Sequence, residues 1–377
     1  MTNSICRVLV TGANGFIGKN LVVRLRELQE YRVIPFLRGD DPAKLPVLLA
    51  QVDAVIHLAG ENRPEDEAAF VEVNTQLTER LAAAIQNESV LSGRKIILVL
   101  ASSIQAALDN PYGRSKLAAE AAVRALVAET DNVAVIFRLP GVFGKWCRPN
   151  YNSVVATFCH NIARDLPIRV YDPAAQLRLV YVDDVVSAMI DVIRAPSLGL
   201  SEGQVEPEYT IKLGELADQI RAFGHCRGSL VSERVGTGLP RALYATYISY
   251  LPNDCFSYEV PQHGDPRGVF VEFLKTRDSG QFSFFTAHPG ITRGGHYHHT
   301  KSEKFLVIKG EALFRFRHLI TDEVVELRTS GEKSVVVDTV PGWSHEVTNV
   351  GDDEMVVMLW ANENFDRDRP DTIACKV

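Results

Sequence analysis

The sequence contains no pair of cysteines spaced as Cys-x-x-Cys. Its six cysteines, Cys6, Cys147, Cys159, Cys226, Cys255 and Cys375, are scattered, so neither a zinc-thiolate site nor a disulfide framework is expected. A reducing, cytoplasmic setting is the plain reading. Long apolar runs are also missing. The longest, such as residues 96–101, have the length of a buried strand and fall well short of a membrane span. The start runs directly into a strand and a glycine turn, so no signal peptide is expected. Basic runs are lacking as well. With 40 Lys and Arg against 47 Asp and Glu, the formal charge is −7. Neither nucleic acid nor an anionic membrane is therefore an expected partner. There is no internal repeat and no low-complexity segment.

What is present suits a soluble chain of two domains, since 377 residues exceed one comfortable core. In the first part, strand-like runs at 7–11, 32–37, 52–58, 95–101 and 133–139 alternate with helical patterns. These helical patterns cover 15–28, 70–87 and 112–129, with further ones at 184–193 and 213–223. Such alternation predicts parallel βαβ units in a doubly wound α/β sheet of Rossmann type. After about residue 250 only short strands recur, at 268–275, 281–288, 304–309, 311–318, 323–327, 334–340, 345–349 and 354–359. That spacing predicts an antiparallel sandwich or barrel. The boundary falls near the Leu251-Pro252-Asn253-Asp254 turn, which gives an α/β domain over 1–250 and an all-β domain over 251–377.

The first strand leads into Gly12-Ala-Asn14-Gly15-Phe16-Ile17-Gly18. Gly12 permits a tight turn, Gly15 lets backbone approach a pyrophosphate, and Gly18 lets helix and strand pack closely. The helix N-terminus then offers N–H groups and a positive dipole to phosphates. The second strand ends at Leu37-Arg38-Gly39. NAD-selective sites carry an acidic residue there for the ribose 2′-hydroxyl, whereas Arg38 suits a 2′-phosphate and so favours NADPH. The other reading makes Arg38 a solvated loop residue, with Asp40 or Asp41 on the ribose.

Asn110 and Pro111 read as N-cap and first residue of a helix. Tyr112 and Lys116 then stand at i and i+4 on one face. A nearby ammonium lowers the pKa of a tyrosine. Tyr112 can thus exchange a proton with a carbonyl oxygen as hydride moves at the carbon. Lys116 can also bind the nicotinamide ribose. Ser102 and Ser103, at the end of a β run, offer hydroxyls to the same oxygen. The segment Arg138–Pro149, followed by Asn152, could hold a nucleotide diphosphate, as could Arg178; surface and packing roles are the alternative for each.

In the last third, His296 and His298 stand at i and i+2 on one strand face, Glu303 follows, and His345 belongs to a second cluster. Imidazoles with a carboxylate make an open site for one divalent transition metal, such as zinc.

Residues Thr11 to Gly18, His57-Leu58-Ala59-Gly60, Asn74, Ser102-Ser103, Tyr112-x-x-x-Lys116 and Tyr181-Val182-Asp183-Asp184-Val185 resemble the extended short-chain dehydrogenases/reductases over about 5–245. The resemblance implies a nucleotide-sugar substrate, a cofactor site that includes Leu58, Ala59 and Gly60, and Ser103 as the catalytic serine by position. One departure stands out: eight residues separate Ser103 from Tyr112, so the loop between them is trimmed.

The two histidine clusters resemble the cupins over about 255–377. This implies His296, His298, Glu303 and His345 as ligands, with His299 on the other face of the strand. Asp265-Pro266-Arg267-Gly268-x-Phe270-x-Glu272 and Arg293-Gly-Gly-His296-Tyr297 resemble the deoxysugar 3,5-epimerase branch. In that branch the position of His296 is the base. Here it joins a ligand set, which leaves Lys301, Lys304, Tyr297 and Asp338 as unranked base or acid candidates.

Over the full length the pairing resembles the CapF-type bifunctional capsule or O-antigen enzymes. That implies a UDP-2-acetamido-2,6-dideoxy-4-keto-hexose substrate, epimerised at C3 by the cupin and reduced at C4 with NADPH, towards UDP-N-acetyl-L-fucosamine. It also implies a homodimer. Two rival readings remain: a reductase whose cupin is structural, and a sugar-nucleotide-binding regulator.

Overall fold

Strands that carry apolar side chains on both faces need cover on both. In β1 (Cys6–Thr11) the side chains divide accordingly. Val8 and Val10 face one core with Leu21, Leu25, Val185 and Met189; Leu9 faces the other with Leu81, Leu98, Leu100 and Val123. Each such burial stabilises by about 1.5–3 kcal/mol. The structure, a computed structural model, describes residues 5–260, 262–265, 268–271, 274–276, 281–363 and 368–377. The chain forms two compact units, Met1–Phe143 with Arg178–Thr210, and Gly144–Leu177 with Ile211–Val377.

In the first unit, β1 is followed by α1 (Phe16–Glu27), β2 (Tyr31–Phe36), α2 (Leu45–Leu49) and β3 (Ala54–His57). Next come α3 (Leu77–Ser92), β4 (Ile97–Ser103), α4 (Pro111–Glu129) and β5 (Val133–Leu139). The helix expected over 70–87 starts as a π-helical stretch, Phe70–Gln76, and continues as α3. Two short strands, β6 (Gly141–Phe143) and β7 (Gln176–Tyr181), pair in parallel ahead of α6 (Val182–Arg194); α5 (Val154–Ile162), between them in sequence, belongs to the second unit. With β8 (Leu200–Gly203) the main sheet has the order β2-β1-β3-β4-β5-β8, parallel throughout. The order reverses at β1, so a ligand crevice opens beyond the carboxyl ends of β1 and β3. This is the doubly wound Rossmann-type sheet that the alternation predicts.

The strand β9 (Glu208–Lys212), whose first three residues belong to the first unit, leads into α7 (Leu213–Ser229), β10 (Val231–Ser232) and α8 (Gly238–Ile248) of the second. Phe223 of α7 packs its ring on Tyr244 and Tyr247 of α8. Then come β11 (Ser257–Glu259), the hairpin β12 (Gln262–Asp265) and β13 (Gly268–Val271), and β14 (Lys275–Thr276), which pairs with β10. The remaining strands are β15 (Gln281–Ala287), β16 (Thr292–Tyr297), β17 (Glu303–Lys309), β18 (Glu311–His318), β19 (Val324–Ser330), β20 (Val335–Asp338), β21 (Trp343–Asn349), β22 (Met355–Ala361) and β23 (Ile373–Ala374). With β11 they form two five-stranded sheets, β11-β20-β17-β22-β15 and β19-β18-β21-β16-β23. The pairings between these strands are antiparallel, and the result is a cupin-type jelly roll. The helices belong to the same unit as the sandwich: Leu230, after α7, packs with Val260, Leu306 and Val336, and Arg227 of α7 pairs with Asp338 of β20 at 2.6 Å. No described helix is long and apolar enough to cross a membrane.

Candidate functional site

Two clusters of reactive side chains stand out, one in each unit. The first lies in the crevice at the ends of β1 and β3. Gly12 has φ +66°, and a Cβ on it would come within 2.8 Å of the Ala59 nitrogen. A Cβ on Gly18 would strike the Gly12 carbonyl. The turn therefore closes against the Leu58-Ala59 backbone and opens the N-terminus of α1, where Gly15 is the cap residue. This cradle, free of side chains, fits a dinucleotide pyrophosphate. Asn14, Phe16 and Ile17 belong to the same turn and first helical residues. Arg38 is largely exposed at the end of β2, and its guanidinium pairs with the Glu61 carboxylate.

Tyr112 and Lys116 rise from the first turns of α4. The Asn110 side chain caps that helix by accepting from the Gly113 N–H at 2.8 Å. Lys116 is buried, its Nζ donating to the Ala101 carbonyl at 3.0 Å and lying 6.0 Å from the centre of the Tyr112 ring. Gly60 leaves room for it: a Cβ there would approach Nζ to 3.1 Å. Burial pushes the Lys116 ammonium down to about 8, against the opposing charge of Glu120. The lowering of Tyr112 by Lys116 expected from their spacing is not found. Burial raises the phenol, and its hydrogen bond with Ser103 is what opposes the rise. Ser102 and Ser103 separate clearly. The Ser102 hydroxyl donates to Glu120 at 2.5 Å, away from the phenol, and Ser103 is the serine that bonds Tyr112.

Arg138 forks the buried Glu120 carboxylate of α4 at 2.9 and 2.6 Å, completing a Ser102–Glu120–Arg138 group. Arg178 forks Glu208 at 2.5 and 3.0 Å on the surface. Both arginines expected to meet substrate thus already hold carboxylates. Asn152 lies in the second unit, exposed just before α5.

The second cluster lies between the two sheets of the sandwich. His296 of β16 and His345 of β21 are cross-strand partners, and Glu303 opens β17 on the facing sheet. His298 follows the end of β16. The ligand atoms of these four residues all lie within 4.8 Å of one another. The Glu303 carboxylate is 3.2 Å from His298 Nε2 and 3.6 Å from His345 Nε2. His345 is buried, and neither of its ring nitrogens makes a hydrogen bond. Buried, unsatisfied imidazole nitrogens beside a carboxylate fit one divalent cation. Burial and the two neighbouring imidazoles lower His296 to about 4, which keeps it in the neutral, ligating form. The group opens into a cavity of about 290 Å³, lined by Phe285, Arg293, Lys301, Phe305, Glu346 and Thr372 among others.

Of the base candidates, Lys301 lines this cavity, its Nζ 2.6 Å from Glu303 Oε1. Lys304 and Asp338 are buried against each other at 2.6 Å. Tyr297 is buried with its ring against His299. Pro266, Arg267 and Glu272 of the epimerase-like segment lie outside the described residues. Sequence reasoning misses Glu61, Glu120 and Asp371. Only Glu120 leaves a local signal, four residues beyond Lys116 on the same helix face.

Known families match both parts of the chain. Residues 8–206 match the model of the NAD dependent epimerase/dehydratase family, and residues 263–373 match the polysaccharide biosynthesis C-terminal domain. A Pseudomonas aeruginosa protein, UDP-2-acetamido-2,6-beta-L-arabino-hexul-4-ose reductase, is 56% identical over 98% of this chain and 99% of its own. The crystal structure of the capsular polysaccharide assembling protein CapF from Staphylococcus aureus is 41% identical, with a TM-score of 0.66 over 98% of this chain and 100% of that one. The structure of MoeE5 with UDP-glucuronic acid and NAD shares 24% identity and a TM-score of 0.51, covering 57% of this chain and 81% of its own. That last likeness is one of fold.

Proposed function

The chain belongs to the NAD dependent epimerase/dehydratase family, in the CapF-type form with a polysaccharide biosynthesis C-terminal domain, and we propose that it converts a UDP-2-acetamido-2,6-dideoxy-4-keto-hexose in two steps. The cupin epimerises C3, and the Rossmann unit then reduces C4 with NADPH, on the route to UDP-N-acetyl-L-fucosamine. The observation that carries this reading is the four-residue ligand cluster opening into a cavity, on a chain that also bears Ser103, Tyr112 and Lys116. The Pseudomonas relative named as the reductase of such a keto sugar supports the substrate class.

Bound NADPH supplies hydride to C4. The Gly12–Gly18 cradle and Leu58-Ala59-Gly60 would hold its pyrophosphate side, Arg38 its 2′-phosphate, and Lys116 its nicotinamide ribose. Tyr112 then gives its phenolic proton to the C4 oxygen, turning ketone into alcohol. A phenol raised by burial retains its proton at neutral pH and is poised for this direction. The Ser103 hydroxyl holds the same oxygen in place. In the cupin, a divalent cation such as zinc would supply the Lewis acidity that makes the proton next to a ketone more acidic. His296, His298, Glu303 and His345 would hold it. Arg293 and Lys301 give the cavity two cationic groups for the substrate.

The test omits NADPH. Protein and the UDP-4-keto sugar are incubated in deuterated water, and NMR follows C3. Wild type should exchange the C3 proton, His296→Ala should lose this exchange, and Tyr112→Phe should retain it while losing NADPH oxidation. The relative's name mentions a reductase alone, which favours a second reading with a structural cupin. Absence of exchange in wild type would select it.

A further inference from the structure

The metal-ligating turn is tied down by a residue far away in the chain. Asp371 lies in the C-terminal segment, just before β23, which pairs with β16 through Ala374↔His296 and Ile373↔Tyr297. Its carboxylate reaches over the turn after β16 and accepts four hydrogen bonds. One oxygen takes the His299 N–H at 2.8 Å. The other takes the Thr300 N–H at 2.7 Å, the Lys301 N–H at 2.7 Å and the Thr300 hydroxyl at 3.0 Å. The Asp371 backbone carbonyl also bonds His298 Nδ1. A carbonyl only accepts, so Nδ1 carries the proton and Nε2 keeps its lone pair. That nitrogen is the one facing Glu303.

We propose that Asp371 is a positioning residue for the metal site, setting both the tautomer of His298 and the path of the turn that joins His298 to Glu303. The inference rests on the reading of the four-residue cluster as a metal site. Three successive backbone N–H groups converge on one carboxylate, so the turn between the two ligands has one favoured course. Thr372, the next residue, lines the cavity itself, and the segment is held further by the Cys375 N–H on the Gly295 carbonyl at 2.8 Å. Residues 371–375 are therefore part of the site. Ligand-orienting partners of this kind typically contribute about 10–100-fold to metal affinity.

The experiment titrates chelator-stripped, full-length protein with Co²⁺, reading the visible bands, and repeats the titration with Zn²⁺ against a chromophoric chelator. Wild type should take one ion per chain. Asp371→Ala should bind about 10–100-fold more weakly, with altered cobalt bands because His298 no longer presents Nε2 in the same orientation. Asp371→Asn, of equal size, should fall between them, since its amide NH₂ faces donors it cannot accept from. It also serves if the alanine variant does not fold. Reductase turnover, with its residues in the other unit, should be unchanged in both variants. Wild-type affinity and wild-type cobalt bands in the folded variants would overturn the role of Asp371 and leave the metal site standing. No uptake by wild type would overturn the metal site and this inference with it.

Discussion

Thr78 gives its hydroxyl proton to the Asn74 carbonyl at 2.7 Å, and this orders the protons around His57. The Thr78 oxygen, 2.9 Å away, must then accept from His57 Nε2–H. Nδ1 is left to accept from the Thr11 hydroxyl at 2.6 Å, whose oxygen takes the Leu58 and Ala59 N–H groups at 3.1 Å each. The ring thus braces the backbone that Gly12 packs on, and it must be neutral to do so. Burial, reinforced by the Lys116 charge, lowers His57 to about 3. Its folded pKa lies below the unfolded value near ~6.5, so the unfolded chain binds the extra proton. The contribution is complete above about pH 6.5 and is lost as pH falls towards 3, at about 1.4 kcal/mol per pH unit. His57→Asn should be less stable than wild type at pH 7, and the gap should close as pH drops to 4 in urea titrations. A gap independent of pH would refute the neutral brace. At this scale the sequence names the members of the His–Glu cluster and the Tyr–Lys pair, because fixed spacings on a helix or strand carry them. It is silent on Glu61 and Asp371, which reach their partners across 23 and 70 or more residues.

Between β4 and α4 the trimmed loop becomes a single 3₁₀ turn, Ile104–Ala107, capped by the Ser103 side chain accepting from the Gln105 N–H at 3.2 Å. Shortening the loop brings its carbonyls down onto the first turn of α4. A Cβ on Gly113 would fall on the carbonyl oxygens of Gln105 and Leu108. The residue after Tyr112 is therefore bound to be small. Gly113→Ala should push Tyr112 away from Ser103 and lower the reductase kcat by about 100-fold, the usual effect of a 1 Å misplacement, while C3 exchange stays at the wild-type rate. Wild-type kcat in that variant would show that the contact is slack. The parallel strands β1, β3, β4 and β5 are legible because they are largely apolar, and α4 because Asn110-Pro111 announces its start. In contrast, α5 and α8 are hidden. The first opens with β-branched Val154 and Val155 and is held by the Ser153 cap, with Ala156 N–H at 3.2 Å. The second carries Gly238 and Pro240 in its first turn, residues that signal a loop, and is secured by burial of Leu243, Tyr244 and Tyr247.

For the whole chain, the chemistry imposes an order on the two proposed reactions. A proton at C3 is acidic only while C4 is a ketone, and reduction of that ketone ends exchange and fixes the configuration. Epimerisation must therefore come first, and a reductase carried on the same chain draws the equilibrium forward. Removing the metal separates the steps without altering Ser103, Tyr112 or Lys116. After exhaustive chelation the protein should lose C3 exchange yet oxidise NADPH at the wild-type rate when given the ketone already epimerised at C3. Added zinc should restore exchange and, at 100 times its Kd, stabilise the unit that binds it by about 2.7 kcal/mol. The alcohol product, incubated with the zinc-loaded protein in deuterated water, should incorporate no deuterium at C3. Deuterium there would mean that the cupin abstracts a proton without help from an adjacent ketone, and the proposed order would fail. Loss of NADPH oxidation on chelation, with the epimerised ketone supplied, would instead make the metal a requirement of the reductase.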